Sequence, residues 1–187
     1  MCAEGGVGAM NTESGQKMQK ALRAVCLMHK EVGKLLLEFD NLMPWACESV
    51  FGSTVTKDLK HHPGADFWMC EGVYRYLASK EEPGVLDALT VCFVNPSLAE
   101  PLLLLGRIEY SIGENAEIAD VCDGWDLWYL YFTWNKDWQL GVPKQCQVPA
   151  GSHIKSARVI AVPLYSIGSV SAVGEHLARL RAATPAA

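Results

Sequence analysis

The chain has 187 residues and lacks the motifs that identify most enzymes. It contains no glycine-rich phosphate-binding motif, no GxSxG elbow around a nucleophilic serine, no HExxH metal motif and no protein-kinase signature. It also lacks an uncharged apolar run of about 18 residues, the length that a membrane-spanning helix needs. These absences favour a non-enzymatic protein, for which we expect no cofactor and no membrane partner.

The seven cysteines lack the close spacing of zinc and redox motifs. Successive cysteines are 21 to 30 residues apart, and no CxxC pair occurs. Cys92 lies in an apolar run, where a free thiol behaves as a small apolar side chain. An odd number of widely spaced cysteines, several in apolar surroundings, predicts reduced thiols and a cytoplasmic location.

Basic residues are nearly absent from the middle of the chain. Residues 81–126 contain ten carboxylates and a single cation, Arg107, and the next cation along the chain is Lys136. Because this acidic segment would repel a phosphate backbone, we expect no nucleic-acid partner. Two interpretations stay open: basic residues elsewhere neutralise the acidic segment within the fold, or the segment forms an acidic face for a basic partner.

The chain is predicted to form one domain of the α+β class. Residues 1–15 lack the basic and apolar regions of a signal peptide, so we interpret them as a flexible lead before a single domain at 16–183. Residues 16–42 have apolar side chains every three or four positions, which predicts a long amphipathic helix ending before Pro44. Leu27 falls on the charged side of this helix, where it is either an ordinary exposed leucine or a contact with a second chain.

Five strands are predicted after this helix, followed by a second helix at the C-terminus. The strands are expected at 67–77, 88–94, 102–112, 125–134 and 158–165, and the helix at 169–182. The links between the first three strands are too short for helical crossovers, so these strands should be antiparallel neighbours. The expected architecture is a long N-terminal helix, an antiparallel sheet of about five strands and a C-terminal helix.

The most informative segment is the aromatic run at 125–134. As a strand it would show apolar side chains on both faces, and both faces would need cover. We consider three interpretations: a central core strand, a protein interface, and the wall of a small-molecule pocket. The predicted interface residues are Trp125, Trp128, Tyr129, Tyr131 and Trp134, together with Leu27 of the first helix.

Three aspartates, Asp120, Asp123 and Asp126, are spaced three residues apart at the start of the aromatic run. Clustered carboxylates bind hard cations, but this spacing matches no EF-hand loop. An acidic, solvated turn is therefore the favoured interpretation, and a metal site is the alternative.

A cysteine-dependent active site is a further alternative. Cys70, His62 and Asp66 supply the thiol, the base and the orienting acid that a nucleophilic cysteine needs. Residues this close in sequence seldom form such a triad, whose members usually converge from separate elements. We therefore favour an inert thiol at Cys70.

The leading functional hypothesis is a small, soluble, non-enzymatic binding or adaptor domain that contacts another protein or a second copy of itself. A small cysteine-dependent hydrolase or transferase using Cys70 is the first alternative. The second is a small-ligand sensor whose pocket lies between the sheet and a long loop at 135–157.

Overall fold

The computed structural model describes residues 12–43, 47–52, 54, 70–94, 98–113 and 116–182. The long N-terminal helix, α1, spans Thr12–Leu42. By its contacts the chain divides into two units, Met1–Leu35 and Leu36–Ala187. The described part of the first unit consists of α1 residues alone, and the sheet lies entirely within the second unit.

Six antiparallel strands form one sheet. The strands are β1 (Cys47–Ser49), β2 (Gly72–Ser79), β3 (Val85–Cys92), β4 (Leu102–Tyr110), β5 (Lys144–Gln145) and β6 (Ile154–Pro163). Their order across the sheet is β1-β2-β3-β4-β6-β5, and each neighbouring pair is antiparallel. The first three predicted strands are therefore antiparallel neighbours, as the short links between them indicated.

Short helical segments lie between β4 and β5, and a longer helix follows β6. They are α2 (Ile118–Val121), α3 (Asp126–Trp128) continuing as a π-helical turn (Tyr129–Thr133), a 3-10 turn (Leu164–Ser166) and α4 (Val170–Ala182). None of the described helices combines the length and the apolar character that crossing a membrane requires. The predicted architecture is confirmed, with six strands in place of about five.

The middle of the sheet is apolar on both faces, and a helical layer covers each face. Residues 103–105 of β4 are leucines that point alternately to the two faces, and all three are fully buried. Leu127 of α3 lies against Gly106 on one face. Arg181 of α4 reaches Asp87, which pairs with the residue after Gly106 and so points to the opposite face. The sheet is therefore the middle of three layers.

The predicted strand at 125–134 is wrong, because these residues form α3 and the π-helical turn. Where nearly every residue is apolar, a two-residue period cannot be told from a 3.6-residue period. The other four predicted strands correspond to β2, β3, β4 and β6 with shifted ends. The two strands that were not predicted, β1 and β5, have three and two residues and are too short to show a pattern.

The N-terminal prediction is partly revised. Because α1 begins at Thr12, residues 12–15 are helical and do not belong to the predicted flexible lead. Residues 1–11 lie outside the described residues. The single domain at 16–183 stays a prediction.

Gly106 lets α3 approach the sheet closely. A Cβ at this position would overlap Leu127 Cδ2 and would lie 3.3 Å from Leu127 Cγ. Since Leu127 is fully buried, we expect Gly106→Ala to displace it and to lower the free energy of unfolding by about 1–3 kcal/mol in urea denaturation.

Gly113→Ala is the matched control, because nothing lies within 4 Å of a Cβ built there. It should change the free energy of unfolding by less than about 0.5 kcal/mol. Equal losses in the two variants would contradict the close approach of α3 at Gly106.

Candidate functional site

Helical geometry sorts the aromatic run into a buried side and an outward side. The buried side, which packs into the core over the sheet, consists of Leu127, Leu130 and Tyr131. The outward side has rings at positions i, i+3, i+4 and i+7, each partly exposed. We call these four residues the aromatic face: Trp125, Trp128, Tyr129 and Phe132.

Ring contacts hold the aromatic face in a fixed arrangement. The centroids of Trp125 and Trp128 are 5.6 Å apart with the rings nearly perpendicular, and those of Trp128 and Phe132 are 4.4 Å apart. Tyr129 is 38% exposed and stacks on Trp134 with a centroid distance of 5.6 Å. Such distances are typical of favourable aromatic pairs, so the face is an ordered apolar surface.

Tyr131 differs from the other predicted interface residues, because it lies on the buried side. It is 8% exposed and stacks on Trp138 at a centroid distance of 4.5 Å. Its backbone carbonyl accepts a hydrogen bond from Trp138 Nε1 at 2.8 Å. Tyr131 therefore stabilises the core. Leu27 lies on α1 in the first unit, where its contact with a second chain stays a prediction.

Exposed carboxylates precede the aromatic face along the chain. Glu117, Asp120 and Asp123 are all exposed. No Lys or Arg lies between Arg107 and Lys136, so no basic side chain from this stretch offsets their charge. The N-terminal end of the aromatic face is therefore bordered by negative charge.

Asp126 ties the start of α3 to the sheet. Its Oδ2 accepts hydrogen bonds from the Tyr110 hydroxyl at 2.6 Å and from the Asp123 backbone N–H at 2.8 Å. Beside it, the Leu127 backbone N–H donates to the Tyr76 hydroxyl oxygen at 2.9 Å. Burial raises the pKa of the Asp126 carboxyl, although both hydrogen bonds favour the ionised form.

The other two aspartates of the proposed metal site bind the local backbone. Asp120 Oδ2 accepts the Glu117 backbone N–H at 2.8 Å, and Asp123 Oδ1 accepts the Trp125 backbone N–H at 2.9 Å. In the described ranges, no group of three or more His, Cys, Asp and Glu side chains is placed to hold a metal ion. The three carboxylates accept backbone hydrogen bonds in the turns that lead into α3, and the metal alternative stays a prediction.

Cys70 lies just before β2, and its thiol donates a hydrogen bond to the Gly72 carbonyl at 2.8 Å. His62 and Asp66 lie outside the described residues, so the catalytic alternative stays a prediction. Burial raises the pKa of Cys122 to about 12, which keeps that thiol protonated at neutral pH.

A row of charged residues on the α4 side of the sheet was not predicted from the sequence. Asp87 of β3, Arg107 of β4 and Arg158 of β6 are successive partners in the strand registers. Arg181 Nη2 of α4 lies 2.7 Å from Asp87 Oδ2. The alternating pattern around Arg107 was visible in the sequence. Its position opposite Arg158 was not, because it depends on the register between two strands far apart in the chain.

No family model, curated protein or solved structure matches the chain. A fold hosts many unrelated functions, so function has to be inferred from the geometry and chemistry of the residues themselves.

Loss of the Tyr110 hydroxyl should have a cost that depends on pH. Above the folded-state pKa of Asp126, where its carboxyl is ionised, Tyr110→Phe removes a charge-assisted hydrogen bond and should lower the free energy of unfolding by about 1.5–3 kcal/mol. Once Asp126 is protonated, only a hydrogen bond to a neutral carboxyl is lost, and the cost should fall to about 0.5–1.5 kcal/mol.

The raised pKa of Asp126 also fixes the direction in which the free energy of unfolding changes with pH. The folded protein holds this proton more tightly than the unfolded chain, so the proton's contribution to stability is full below the ordinary aspartate pKa and disappears as pH rises through the folded value. Urea denaturation across this pH range measures the effect. In an Asp126→Asn background, Tyr110→Phe should have a small, constant cost. The same pH-independent cost in both backgrounds would refute the account.

Proposed function

We propose that the protein is a non-enzymatic binding domain that acts through protein contact, and that the aromatic face is its contact surface. One observation carries the proposal: four large rings of one helical face are packed into a fixed arrangement yet stay partly exposed. Trp and Tyr are enriched among the residues that dominate binding energy at protein interfaces. Rings already held in place lose little side-chain entropy when a partner binds.

Charge indicates the chemistry of the partner. The exposed carboxylates Glu117, Asp120 and Asp123 border the N-terminal end of the aromatic face, and no Lys or Arg lies between residues 107 and 136. A partner segment with an aromatic or aliphatic anchor and flanking Lys or Arg residues would satisfy both the apolar surface and its acidic border. This partner corresponds to the acidic-face interpretation of the charge pattern.

Trp125 and Tyr129 are the rings to replace, because neither is among the side chains packed against the buried core cluster. A random peptide library displayed on phage is selected on the wild-type protein. We expect the enriched peptides to combine an apolar anchor with basic residues. Their affinity should fall at least tenfold in the Trp125→Ala/Tyr129→Ala double variant and should weaken as ionic strength rises.

Tyr165→Ala is the matched control, because Tyr165 is 78% exposed on the 3-10 turn that follows β6. Peptide affinity should be unchanged in this variant. The proposal fails if no peptide family is enriched, or if the enriched peptides bind the double variant as tightly as they bind the wild-type protein.

A second candidate function, self-association, is favoured by α1. Met18 and Leu22 are 61% and 60% exposed, and with Val25 and His29 they follow the alternating four- and three-residue spacing of a coiled-coil seam. Most of the stability of a protein helix comes from packing of its apolar face against a partner. A second copy of α1 would cover the seam. Leu27, 59% exposed, lies off the seam on the same helix.

Light scattering coupled to size-exclusion chromatography tests this second candidate. We expect a dimer that Leu22→Lys converts to a monomer, because a lysine in the seam is poorly accommodated. Leu27→Lys replaces an equally exposed leucine off the seam and should leave the dimer intact. If Leu27→Lys alone dissociates it, the interface lies on the Leu27 side. A wild-type protein that is monomeric at all concentrations would exclude self-association.

A further inference from the structure

Two arginines lie directly opposite each other on neighbouring strands of the sheet. Arg107 of β4 is the register partner of Arg158 of β6, and both point to the face that α4 covers. Like charges placed opposite each other in an antiparallel pair are destabilising. This arrangement therefore needs negative charge nearby.

The nearby carboxylates Asp87 and Glu82 form ion pairs with Arg107 and Arg181 and not with Arg158. Asp87 Oδ2 accepts a hydrogen bond from Arg181 Nη2 at 2.7 Å, and Asp87 also lies 3.4 Å from Arg107 Nη1. Arg107 Nη2 makes a close ion pair with Glu82. Asp87 and Glu82 are thus paired with Arg107 or Arg181, which leaves Arg158 as the cation of the row that has no ion pair among the described residues.

Arg158 makes neither an ion pair nor a side-chain hydrogen bond within the part of the chain that the structure describes, and its Nη1 is buried. Buried polar groups are nearly always hydrogen-bonded, and leaving a charged donor unsatisfied is unfavourable. The Arg158 guanidinium thus has a donor without an acceptor, and its neighbour across the strands is a second arginine, Arg107.

Two cavities lie beside the Arg158 side chain. The lining of one, of about 500 Å³, includes Arg107, Arg158 and Arg181, and that of the other, of about 300 Å³, includes Arg107, Arg158, Glu109, Ser156 and Gln145. Arg107 and Arg158 line both cavities. The larger volume lies within the range of small-molecule binding sites.

We propose that the larger cavity, which we call the arginine cleft, binds an oxyanion group of a small molecule, either a carboxylate or a phosphate. The planar guanidinium of Arg158 would donate to two oxygens of the group, which is the geometry that arginine favours for such anions. The bound negative charge would also separate the like charges of Arg107 and Arg158. The arginine cleft is on the α4 side of the sheet and is independent of the proposed protein contact at the aromatic face.

The acidic residues of the arginine cleft restrict the ligand to a single oxyanion group. Glu81, Glu82 and Asp87 line the same cavity. They would repel a polyphosphate or a nucleic-acid backbone. Of the three arginines that line the cleft, Arg158 is the one without an ion pair to a described residue, so one anionic group matches the site.

Inorganic phosphate and acetate are the probes, each titrated against chloride at constant ionic strength. Amide NMR shifts and the arginine side-chain N–H resonances report binding, and thermal unfolding gives a second readout. We expect at least one probe to cause saturable shifts at residues 107, 158 and 181, which line the arginine cleft, and to raise the melting temperature. If only phosphate causes saturable shifts, the ligand is assigned a phosphate group. If only acetate does so, the ligand is assigned a carboxylate.

Arg158→Gln should weaken binding at least tenfold, because it removes the charge and the forked donor. Lys155→Gln, which removes an exposed cation from the same strand outside the cavity, should bind as the wild type does. Arg158→Met removes the unsatisfied donor. It should raise the melting temperature without anion while abolishing the anion-dependent increase.

Three results would overturn the proposal. The first is no saturable response of the wild-type protein to either probe. The second is equal binding by the wild type and Arg158→Gln. The third is an equal loss of binding in Lys155→Gln, which would reduce the effect to general charge screening.

Discussion

The central strands β3 and β4 bury side chains on both of their faces, and the remaining elements are arranged around this constraint. An antiparallel sheet often leaves one face to water, but a leucine that is fully removed from water contributes about 1.5–3 kcal/mol, and β4 has leucines on both sides. Each face therefore needs its own cover. Helix α4 covers one face, and the helical segment at 126–133 covers the other.

The helical segment at 126–133 is rich in aromatic residues, so the same segment contributes both to the core and to the proposed contact surface. The helical segment at 126–133 is only eight residues long. It turns Leu127, Leu130 and Tyr131 inward and leaves Trp128, Tyr129 and Phe132 partly exposed. Hydrogen bonds from Tyr110 to Asp126 and from the Leu127 N–H to Tyr76 join the turn to β4 and β2. A surface anchored this firmly to the sheet is suited to rigid recognition.

The opposite face is treated differently toward the ends of the strands that carry Asp87, Arg107 and Arg158. There the strands carry a row of charged side chains in which Asp87 is followed by Arg107 and Arg158. Arg181 of α4 reaches this row through its ion pair with Asp87. Ion pairs account for Asp87, Glu82, Arg107 and Arg181. Arg158 has no ion pair with a described residue. We infer a ligand there because this cation lines a cavity and its Nη1 has no hydrogen-bond acceptor.

Much of the architecture was accessible from local pattern. Apolar residues at three- and four-residue spacing marked α1 and α4, and short links rich in turn residues marked the antiparallel strands β2, β3 and β4. The aromatic run was assigned to a strand because a segment that is apolar almost throughout has no distinguishable period. Four of the five rings that were predicted to form an interface are partly exposed, whereas Tyr131 is buried.

The amino-acid sequence by itself determined which segments are helical or extended wherever polar and apolar residues alternate, because that alternation is a local property. Only the tertiary structure decided which rings of 125–134 face the solvent and which guanidinium lies opposite Arg107. Both depend on packing and strand register between residues that are distant in the chain. Such contacts are set by how whole faces fit together, and no short stretch of sequence contains that information.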